Sequence, residues 1–335
     1  MVPKVRATVP HFHRPADQFV AAPVTEPLRF DGKVAVVTGA GRNLGREYAL
    51  ALAAKGAKVL VNDLGVGISD SDGRADAPGV NPALDVVAEI VRAGGQAVAN
   101  TDSVSTSAGG RAIIAAAVDA FGTVDIVINN AGQVRMAPFA DLPDESIDAL
   151  LDTQLRGPLN VSRPAWKVMA AQGYGRIVNV SSGAAFGGVP GGSAYGMAKM
   201  GTVGLTRAMA FEARKLGIRV NVIAPYAKTR PGTGMGPWPW SSELGEWLHP
   251  RLVAPLALYL AHESCGVNGE WFSVGAGHVA RIGLTITDGV VDRKAEPETI
   301  GADLAEILAG EAKALDLGSP GPMPAMMRGF GPPIS

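Results

Sequence analysis

Thr38-Gly-Ala-Gly-Arg-Asn-Leu-Gly45 is the stretch that decides the fold, because of what stands on either side of it. It continues Val34-Ala-Val-Val-Thr38, a short apolar run rich in β-branched residues, which is typical of a buried parallel strand. An Ala- and Leu-rich segment with a helical pattern, from Leu44 to Lys55, follows. Glycines here permit a tight turn and a close backbone approach, and a helix amino terminus favours anions. The stretch therefore predicts a loop that binds the pyrophosphate of a dinucleotide.

Strand and helix patterns alternate along the rest of the chain. Further strands are predicted at 58–62, 97–100, 126–129, 176–180, 218–223 and 270–274. Further helices are predicted at 84–93, 111–121, 147–172, 195–216, 251–262 and 302–314. Strands that alternate with helices of ten or more residues indicate a parallel sheet with helices on both faces. We therefore predict an α/β fold: a single Rossmann-type, doubly wound domain over 31–285, an N-terminal arm (1–30) and a C-terminal tail (286–335).

Composition limits the class of protein. The 335 residues carry a formal net charge of −1, so bulk electrostatics favours neither a nucleic-acid nor a membrane partner. Cys265 is the single cysteine, which excludes an intramolecular disulfide and suits a reducing compartment. The start lacks the apolar run of a signal peptide, and no run of about 18 apolar residues marks a transmembrane helix. We therefore predict a cytoplasmic protein. The histidines lack metal-ligand spacing, so we predict no bound metal.

Two long loops interrupt the alternation. The segment 65–82 is rich in Gly, Asp and Pro and is too long for an ordinary connection, which indicates a functional or interface loop. The segment 231–247 contains three tryptophans among glycines and prolines. It is either an irregular surface loop or a lid over an apolar substrate, and we favour the lid.

Asp63 ends the second predicted strand, about 20 residues beyond the glycine loop. A carboxylate at this position accepts hydrogen bonds from the adenine ribose hydroxyls and repels a 2′-phosphate, which favours NAD over NADP. A cap of a turn or helix is the alternative role for Asp63. Arg42 argues for NADP, since a basic residue in the loop can pair with that phosphate. We give Asp63 more weight, because Arg42 can point into water.

Tyr195-Gly-Met-Ala-Lys199 places a tyrosine and a lysine four residues apart, on one face of a predicted helix. An unperturbed tyrosine has a pKa near 10, and a nearby ammonium lowers that pKa by stabilising the phenolate. Tyr195 could then exchange a proton with a substrate oxygen while a hydride moves to or from a nicotinamide. Lys199 could also hold the nicotinamide ribose. Ser182, just after the strand at 176–180, is the candidate that orients the substrate oxygen, whereas Ser181 suits a turn.

Together these segments resemble the short-chain dehydrogenase/reductase family. Four features match in order: the glycine loop, Asn129-Asn-Ala-Gly132, a serine thirteen residues before the tyrosine, and Tyr195-Gly-Met-Ala-Lys199. The resemblance covers about residues 30–280 and implies a nicotinamide-dependent enzyme acting on CH–OH groups. The residues it assigns to the dinucleotide, with Asn130 also stabilising the sheet, are Gly39, Gly41, Arg42, Asn43, Leu44, Gly45, Asp63, Asp102, Ser103, Asn130, Ala131, Gly132, Tyr195, Lys199, Pro225 and Thr229.

Three positions depart from the family pattern. Asn43 replaces the usual central glycine of the loop, but Asn tolerates a left-handed backbone better than most residues. Gln154 aligns with the catalytic helix asparagine that anchors a water in the proton relay, so we count Gln154 with the catalytic residues. Pro225-Tyr226 replaces the common Pro-Gly that flanks the nicotinamide.

A closer resemblance is to the (3R)-hydroxyacyl-CoA dehydrogenase part of peroxisomal multifunctional enzyme type 2, a group that is 17-beta-hydroxysteroid dehydrogenase type 4-like. It rests on the segments 61–65, 174–182, 254–265 and 273–278. The resemblance implies a free-standing dehydrogenase without the hydratase domain. The tail resembles the segment after that dehydrogenase, which implies packing on a partner subunit, and we predict a homodimer or homotetramer.

Four functions fit the residues. The first is oxidation by NAD of a (3R)-3-hydroxyacyl-CoA or of a CoA-linked steroid side chain. The second is a hydroxysteroid or other secondary-alcohol dehydrogenase, which only substrate profiling separates from the first. The third is a 3-ketoacyl carrier-protein reductase, which would use NADPH and which Asp63 disfavours. The fourth is a catalytically silent dinucleotide-binding protein, which Gln154 favours and the intact Ser182, Tyr195 and Lys199 disfavour.

Overall fold

The structure is a computed structural model that describes residues 26–65, 81–228, 245–287, 289–290, 296–309 and 313–314. The chain divides into two compact units, one within 21–282 and one that contains the residues from 283 onwards. Each unit is described by itself.

The larger unit is built on an eight-stranded sheet in the order β3-β2-β1-β4-β5-β6-β7-β8. Its strands are β1 (Val34–Thr38), β2 (Lys58–Asn62), β3 (Gln96–Asn100), β4 (Ile126–Asn129), β5 (Gly175–Val180), β6 (Ile218–Tyr226), β7 (Trp271–Gly275) and β8 (His278–Ile282). The first seven strands pair in parallel, and β8 pairs antiparallel with β7. The central strands β1, β4 and β5 are buried along their whole length, as is typical of parallel strands covered on both faces.

Helices cover both faces of the sheet. They are α1 (Asn43–Ala54), α2 (Pro82–Arg92), α3 (Ser107–Phe121), α4 (Asp144–Leu151), α5 (Gly157–Gln172), α6 (Ala184–Gly187), α7 (Ser193–Glu212) and α8 (Ala254–Ala261). One core cluster packs α1, α2 and α8 against the sheet. It includes Phe30, which precedes β1 and is 1% exposed. Helices α3, α5 and α7 pack against the other strands and each other. The prediction of a doubly wound α/β fold is confirmed.

The predicted sheet ended one strand too early. A tight turn joins β7 to β8, and its two residues Ala276 and Gly277 have φ values of +51° and +76°. Two consecutive positive φ values are typical of the hairpin turn that matches the twist of the sheet. The antiparallel β8 was missed because its side chains are mostly exposed, so it lacks the apolar run that marks the other strands.

The predicted helix over 147–172 is three segments. Helix α4 leads into a π-helical turn (Asp152–Arg156), and α5 follows at once. Helix α5 approaches α3 so closely that a Cβ on Gly110 would lie 2.5 Å from the carbonyl carbon of Asn160. Helix α7 ends at Glu212, earlier than predicted, because a 3₁₀ turn and Gly217 with φ +69° follow it.

The long loop at 65–82 and the predicted lid at 231–247 lie largely outside the described residues. Lys228 precedes the lid segment and Leu248 follows it, and the Lys228 N–H donates to the Leu248 carbonyl over 2.7 Å. Trp247, the one lid tryptophan in the described part, is exposed in a 3₁₀ turn (Gly245–Leu248). None of the described helices is both long and apolar enough to cross a membrane.

The smaller unit contains a short antiparallel pair, β9 (Thr285–Ile286) and β10 (Lys313–Ala314). Between them lies α9 (Pro297–Ala309), which starts and ends five residues earlier than the predicted helix at 302–314. The Thr287 hydroxyl donates to the Ile307 carbonyl over 3.0 Å and ties the pair to the helix.

Candidate active site

The predicted site residues gather at the carboxyl ends of the parallel strands. The chain leaves β1 for β2 on one side and, later, β4 lies on its other side, so the strand order reverses between β1 and β4. In open α/β sheets, ligands bind in the crevice at such a reversal. The glycine loop follows β1, and Asn129-Asn-Ala-Gly132 follows β4, so both predicted dinucleotide segments border this crevice.

The glycine loop is held closely against the segment after β4. Gly39 has φ +61°, and a Cβ on it would lie 2.7 Å from the Cα of Ala131. Gly45 faces Asn130, whose Nδ2 would lie 2.5 Å from a Cβ at that position. Asn43 has φ +48°, the left-handed conformation that a glycine would otherwise supply. The sequence of the loop therefore matches its backbone.

Helix α1 presents an amino terminus suited to an anion. Its cap residue Arg42 makes no side-chain capping bond, and its first turn contains no acidic residue. Unpaired N–H groups and the positive end of the helix dipole favour phosphate at such a terminus. Leu44 packs its side chain against the core, which leaves the backbone of the turn facing the crevice. The loop therefore fits the pyrophosphate of a dinucleotide.

Asp63 follows β2 and receives two backbone hydrogen bonds. The N–H of Gly41 donates to Oδ2 and the N–H of Gly65 donates to Oδ1, each over 3.0 Å. The second bond is an Asx turn, so Asp63 does cap a turn. A carboxylate has about four acceptor positions, so both oxygens can still accept from ribose hydroxyls.

Arg42 does not point into water. Its side chain is 16% exposed, and its Nη1 lies 3.9 Å from Oδ1 of Asp63. The expectation that Arg42 extends into solvent is therefore wrong, because the carboxylate attracts the guanidinium. Arg42, which favours NADP, and Asp63, which favours NAD, therefore lie next to each other.

A polar network fixes the end of β3. The Asn62 amide donates to Asn100 Oδ1 over 2.8 Å and to the Asp102 carbonyl over 2.9 Å. The Asn100 amide donates to the Asp102 carboxylate over 2.7 Å. Ser103 accepts the N–H of Ser105 in the next turn. Asp102 and Ser103 therefore lie beside Asp63, on the side of the crevice where the resemblance expects the adenine.

Asn130 joins β1 to β4 through backbone groups. Its Nδ2 donates to the carbonyls of Thr38 and Gly39, each over 3.0 Å. The Thr38 hydroxyl in turn accepts the N–H groups of Asn130 and Ala131. The side chain of Asn130 thus holds the two predicted dinucleotide segments together.

The catalytic candidates meet where β5 ends. Ser182 lies in the turn after β5, and Tyr195 and Lys199 lie in the first two turns of α7. The Lys199 ammonium lies 5.8 Å from the centre of the Tyr195 ring, and the Ser182 side chain lies near enough to the Tyr195 hydroxyl to lower its pKa. The Ser181 hydroxyl donates to the Lys199 carbonyl over 2.8 Å, so this serine positions α7. The structure therefore brings together the three residues that the sequence spaces apart.

The pKa of Tyr195 moves opposite to the predicted direction. Burial raises it, and the nearby Ser182 side chain lowers it by less. Lys199 does not act on the phenol as predicted, because its Nζ donates to the Val180 carbonyl over 2.8 Å. Lys199 is 4% exposed, and its burial lowers its own pKa from 10.5 to about 7. In this structure Ser182 is therefore the group that favours the phenolate.

Gln154 lies in the π-helical turn and is buried. Its Nε2 donates to the Gln133 carbonyl over 2.7 Å, and its backbone carbonyl accepts the Thr202 hydroxyl of α7. Gly132 makes room for the amide, since a Cβ there would lie 2.8 Å from Oε1 of Gln154. Gln154 thus connects the segment after β4 with the catalytic helix.

Two residues near the centre were absent from the predicted contact set. Gln133 receives the Gln154 amide, and its own Nε2 donates to the Ala149 carbonyl over 3.0 Å. Tyr226 ends β6, and its hydroxyl lies against Gly183, next to Ser182. The Pro-Tyr departure was the available signal for Tyr226, whereas no motif marked Gln133. Pro225 lies on β6 paired with Val274, and Thr229 lies outside the described residues.

An apolar cleft of about 300 Å³ opens beside the catalytic candidates. Phe139, Ala185, Val189 and Met197 line it, together with several glycines. Phe139 and Met197 are 83% and 52% exposed, so apolar surface is available to a ligand.

The catalytic candidates can exchange a proton with an alcohol, and they lie at the same sheet edge as a loop that fits a dinucleotide. The chain is an oxidoreductase that acts on CH–OH groups. Residues 33–233 match the family model described as short chain dehydrogenase. The chain belongs to the short-chain dehydrogenase family.

Individual relatives agree with this assignment. Peroxisomal multifunctional enzyme type 2 of Mus musculus is 45% identical over 81% of this chain, which spans only 35% of that enzyme. A short-chain type dehydrogenase/reductase of Mycobacterium tuberculosis is 43% identical over 82% of this chain and 93% of its own length. A crystal structure of a short chain dehydrogenase from Mycobacterium avium superimposes with a TM-score of 0.72 at 34% identity, covering 85% of this chain and 98% of that one.

Proposed function

We propose that the chain oxidises the hydroxyl of a (3R)-3-hydroxyacyl-CoA, or of a CoA-linked steroid side chain, with NAD as hydride acceptor. The observation that carries the proposal is the grouping of Ser182, Tyr195 and the buried Lys199 where β5 ends, beside an apolar cleft. Similarity to multifunctional enzyme type 2 supports the substrate class, although this chain spans about a third of the mouse enzyme.

Each residue has a defined task in this reaction. Ser182 donates to the substrate oxygen and orients it. Tyr195, as the phenolate, accepts the hydroxyl proton as the C3–O bond becomes a carbonyl. The nearby Ser182 side chain opposes the rise in the pKa of Tyr195 that burial causes. Lys199, whose Nζ donates one hydrogen bond to the Val180 carbonyl, would hold a ribose hydroxyl with another of its N–H groups. Bound NAD would accept the hydride from C3.

Asp63 supports NAD over NADP. Its carboxylate lies at the carboxyl end of β2 with acceptor capacity left for ribose hydroxyls, and it would repel a 2′-phosphate. Arg42 supports a second candidate, an NADPH-dependent 3-ketoacyl carrier-protein reductase, because its guanidinium lies 3.9 Å from Asp63 and could bind a 2′-phosphate there. The pairing neutralises part of the attraction of Arg42 for phosphate, so NAD remains the proposed cofactor.

Three further expectations stay with the proposal. A homodimer or homotetramer, with the residues beyond 286 packed on a partner subunit, fits the family resemblance. A hydroxysteroid or other secondary alcohol would use the same catalytic residues. We also retain a cytoplasmic location as a prediction, and the mouse relative is named as a peroxisomal enzyme.

The test is an absorbance assay at 340 nm with purified protein. NAD or NADP would be combined with (3R)- and (3S)-3-hydroxyacyl-CoAs of several chain lengths and with hydroxysteroids. We expect NADH to form with the (3R)-acyl-CoAs. Activity confined to steroids would favour a hydroxysteroid dehydrogenase. No activity across the panel, with dinucleotide binding intact by calorimetry, would favour a non-catalytic role.

A further inference from the structure

Tyr226 occupies an unusual place relative to the catalytic group. Strand β5 ends at Val180, opposite Ile223 of β6, whereas β6 continues to Tyr226, which pairs with Gly275 of β7. The side chain of Tyr226 thus stands at the carboxyl edge of the sheet, beside the turn that carries Ser182.

Two glycines make room for this phenol. A Cβ on Gly183 would lie 2.5 Å from the Tyr226 hydroxyl oxygen and 2.8 Å from its Cζ. A Cβ on Gly275 would lie 2.7 Å from the Tyr226 Cβ. Neither position could carry a larger residue without displacing the ring, so the local sequence seats Tyr226 against the residue that follows Ser182.

The hydroxyl of Tyr226 is available to a ligand. Tyr226 is partly exposed, and no atom of the described residues hydrogen-bonds to its hydroxyl. A precisely placed polar atom beside a catalytic group is the kind of group that fixes the orientation of a ligand. The reacting oxygen is already assigned to Ser182 and Tyr195, so the Tyr226 hydroxyl remains for a second oxygen.

We infer that Tyr226 is a specificity-determining residue that donates a hydrogen bond to the thioester carbonyl of a 3-hydroxyacyl thioester. The inference rests on the proposed function. In such a substrate the thioester carbonyl carbon is two positions along the chain from the carbon that bears the reacting hydroxyl. The two oxygens are therefore close enough to contact neighbouring protein groups. A simple secondary alcohol has no second oxygen and would leave the Tyr226 hydroxyl without a partner.

The test compares wild type and Tyr226→Phe with two substrates that differ in one group: a (3R)-3-hydroxyacyl-CoA and its thioether analogue, in which CH₂ replaces the thioester carbonyl. We expect Tyr226→Phe to lower kcat/KM about tenfold for the thioester and less than about threefold for the thioether, the size of one hydrogen bond. Because each variant is compared with wild type on the same substrate, electronic differences between the two substrates cancel. Tyr174→Phe is the matched control, since Tyr174 precedes β5 at the opposite edge of the sheet.

Other results would overturn the inference in separate ways. Equal losses on both substrates would mean that the phenol acts by shaping the turn at Ser182. A weaker affinity of Tyr226→Phe for NAD in calorimetry would mean that the phenol contacts the dinucleotide. Wild-type protein that turns over neither substrate would refute the proposed function and this inference together, whereas an active wild type with equal losses refutes only the role of Tyr226.

Discussion

Replacing Lys199 with methionine should remove a pH dependence of stability that its burial creates. The ammonium has the Val180 carbonyl as its partner and no ion pair among the described residues, and burial lowers its pKa from 10.5 to about 7. The unfolded chain therefore binds more protons than the folded protein between pH 7 and 10.5, and stability falls as pH decreases through that range. Lys199→Met has a side chain of similar length that does not titrate, so its stability lacks this contribution.

The magnitude follows from the two pKa values. The full difference corresponds to about 5 kcal/mol, at about 1.4 kcal/mol for each pH unit. Between pH 7 and pH 9 the wild type should gain about 2 kcal/mol of unfolding free energy beyond any gain of Lys199→Met. The loss of the bond to the Val180 carbonyl adds an offset that does not depend on pH.

The assay is urea unfolding at pH 7, 8 and 9, followed by circular dichroism without added dinucleotide. Lys167→Met, which removes an exposed lysine of α5, is the control and should follow the wild type. Parallel curves for wild type and Lys199→Met would refute the reasoning, because they would show that Lys199 binds its proton equally well in the folded and unfolded states.

Three further substitutions test the site. Tyr195→Phe should lower kcat by at least about a thousandfold through loss of the proton acceptor, while NAD affinity by calorimetry stays within about twofold; lost affinity would make the tyrosine structural. Asp63→Ala should narrow or reverse the preference for NAD, since it removes the ribose acceptor and releases Arg42, and an unchanged ratio of kcat/KM for NAD and NADP would contradict this role. Gln154→Asn should cost about 1 kcal/mol of unfolding free energy, because the shorter amide cannot reach the Gln133 carbonyl without a shift. It should change the rate less than Tyr195→Phe does. A thousandfold gain in rate would mean that the native protein is nearly silent.

The sequence predicted those parts of the fold that local patterns encode. Short, mainly apolar runs located the parallel strands, most clearly the fully buried β1, since strands covered on both faces need mainly apolar side chains. The glycine loop was located by its place between a strand and a helix, and the substitution at Asn43 agrees with the positive φ found there. Strand β8 escaped because an edge strand with exposed side chains carries no such pattern.

The directions of the pKa shifts and the pairing of charges could not be predicted from the spacing of residues in the sequence. Tyr195 and Lys199 are four residues apart, as a helical pair requires, but the amine turns to the Val180 carbonyl. Burial of both groups then decides the direction of each pKa, and burial depends on the packing of β5 against α7. The pairing of Arg42 with Asp63 likewise depends on how β2 lies beside the glycine loop, 21 residues away in sequence.

The π-helical turn at Asp152–Arg156 makes the length of this segment as consequential as its composition. A π turn holds one residue more than the α-helical turn that would replace it. The wide turn therefore spans about the same angle as an α-helical turn with one residue fewer, and α4 and α5 keep a common register on either side of it. Deletion of one residue here would let an α turn replace the π turn with little rotation of α5. It would disturb contacts of the turn itself, such as that of Gln154 with Gly132, more than the close approach of Asn160 to Gly110.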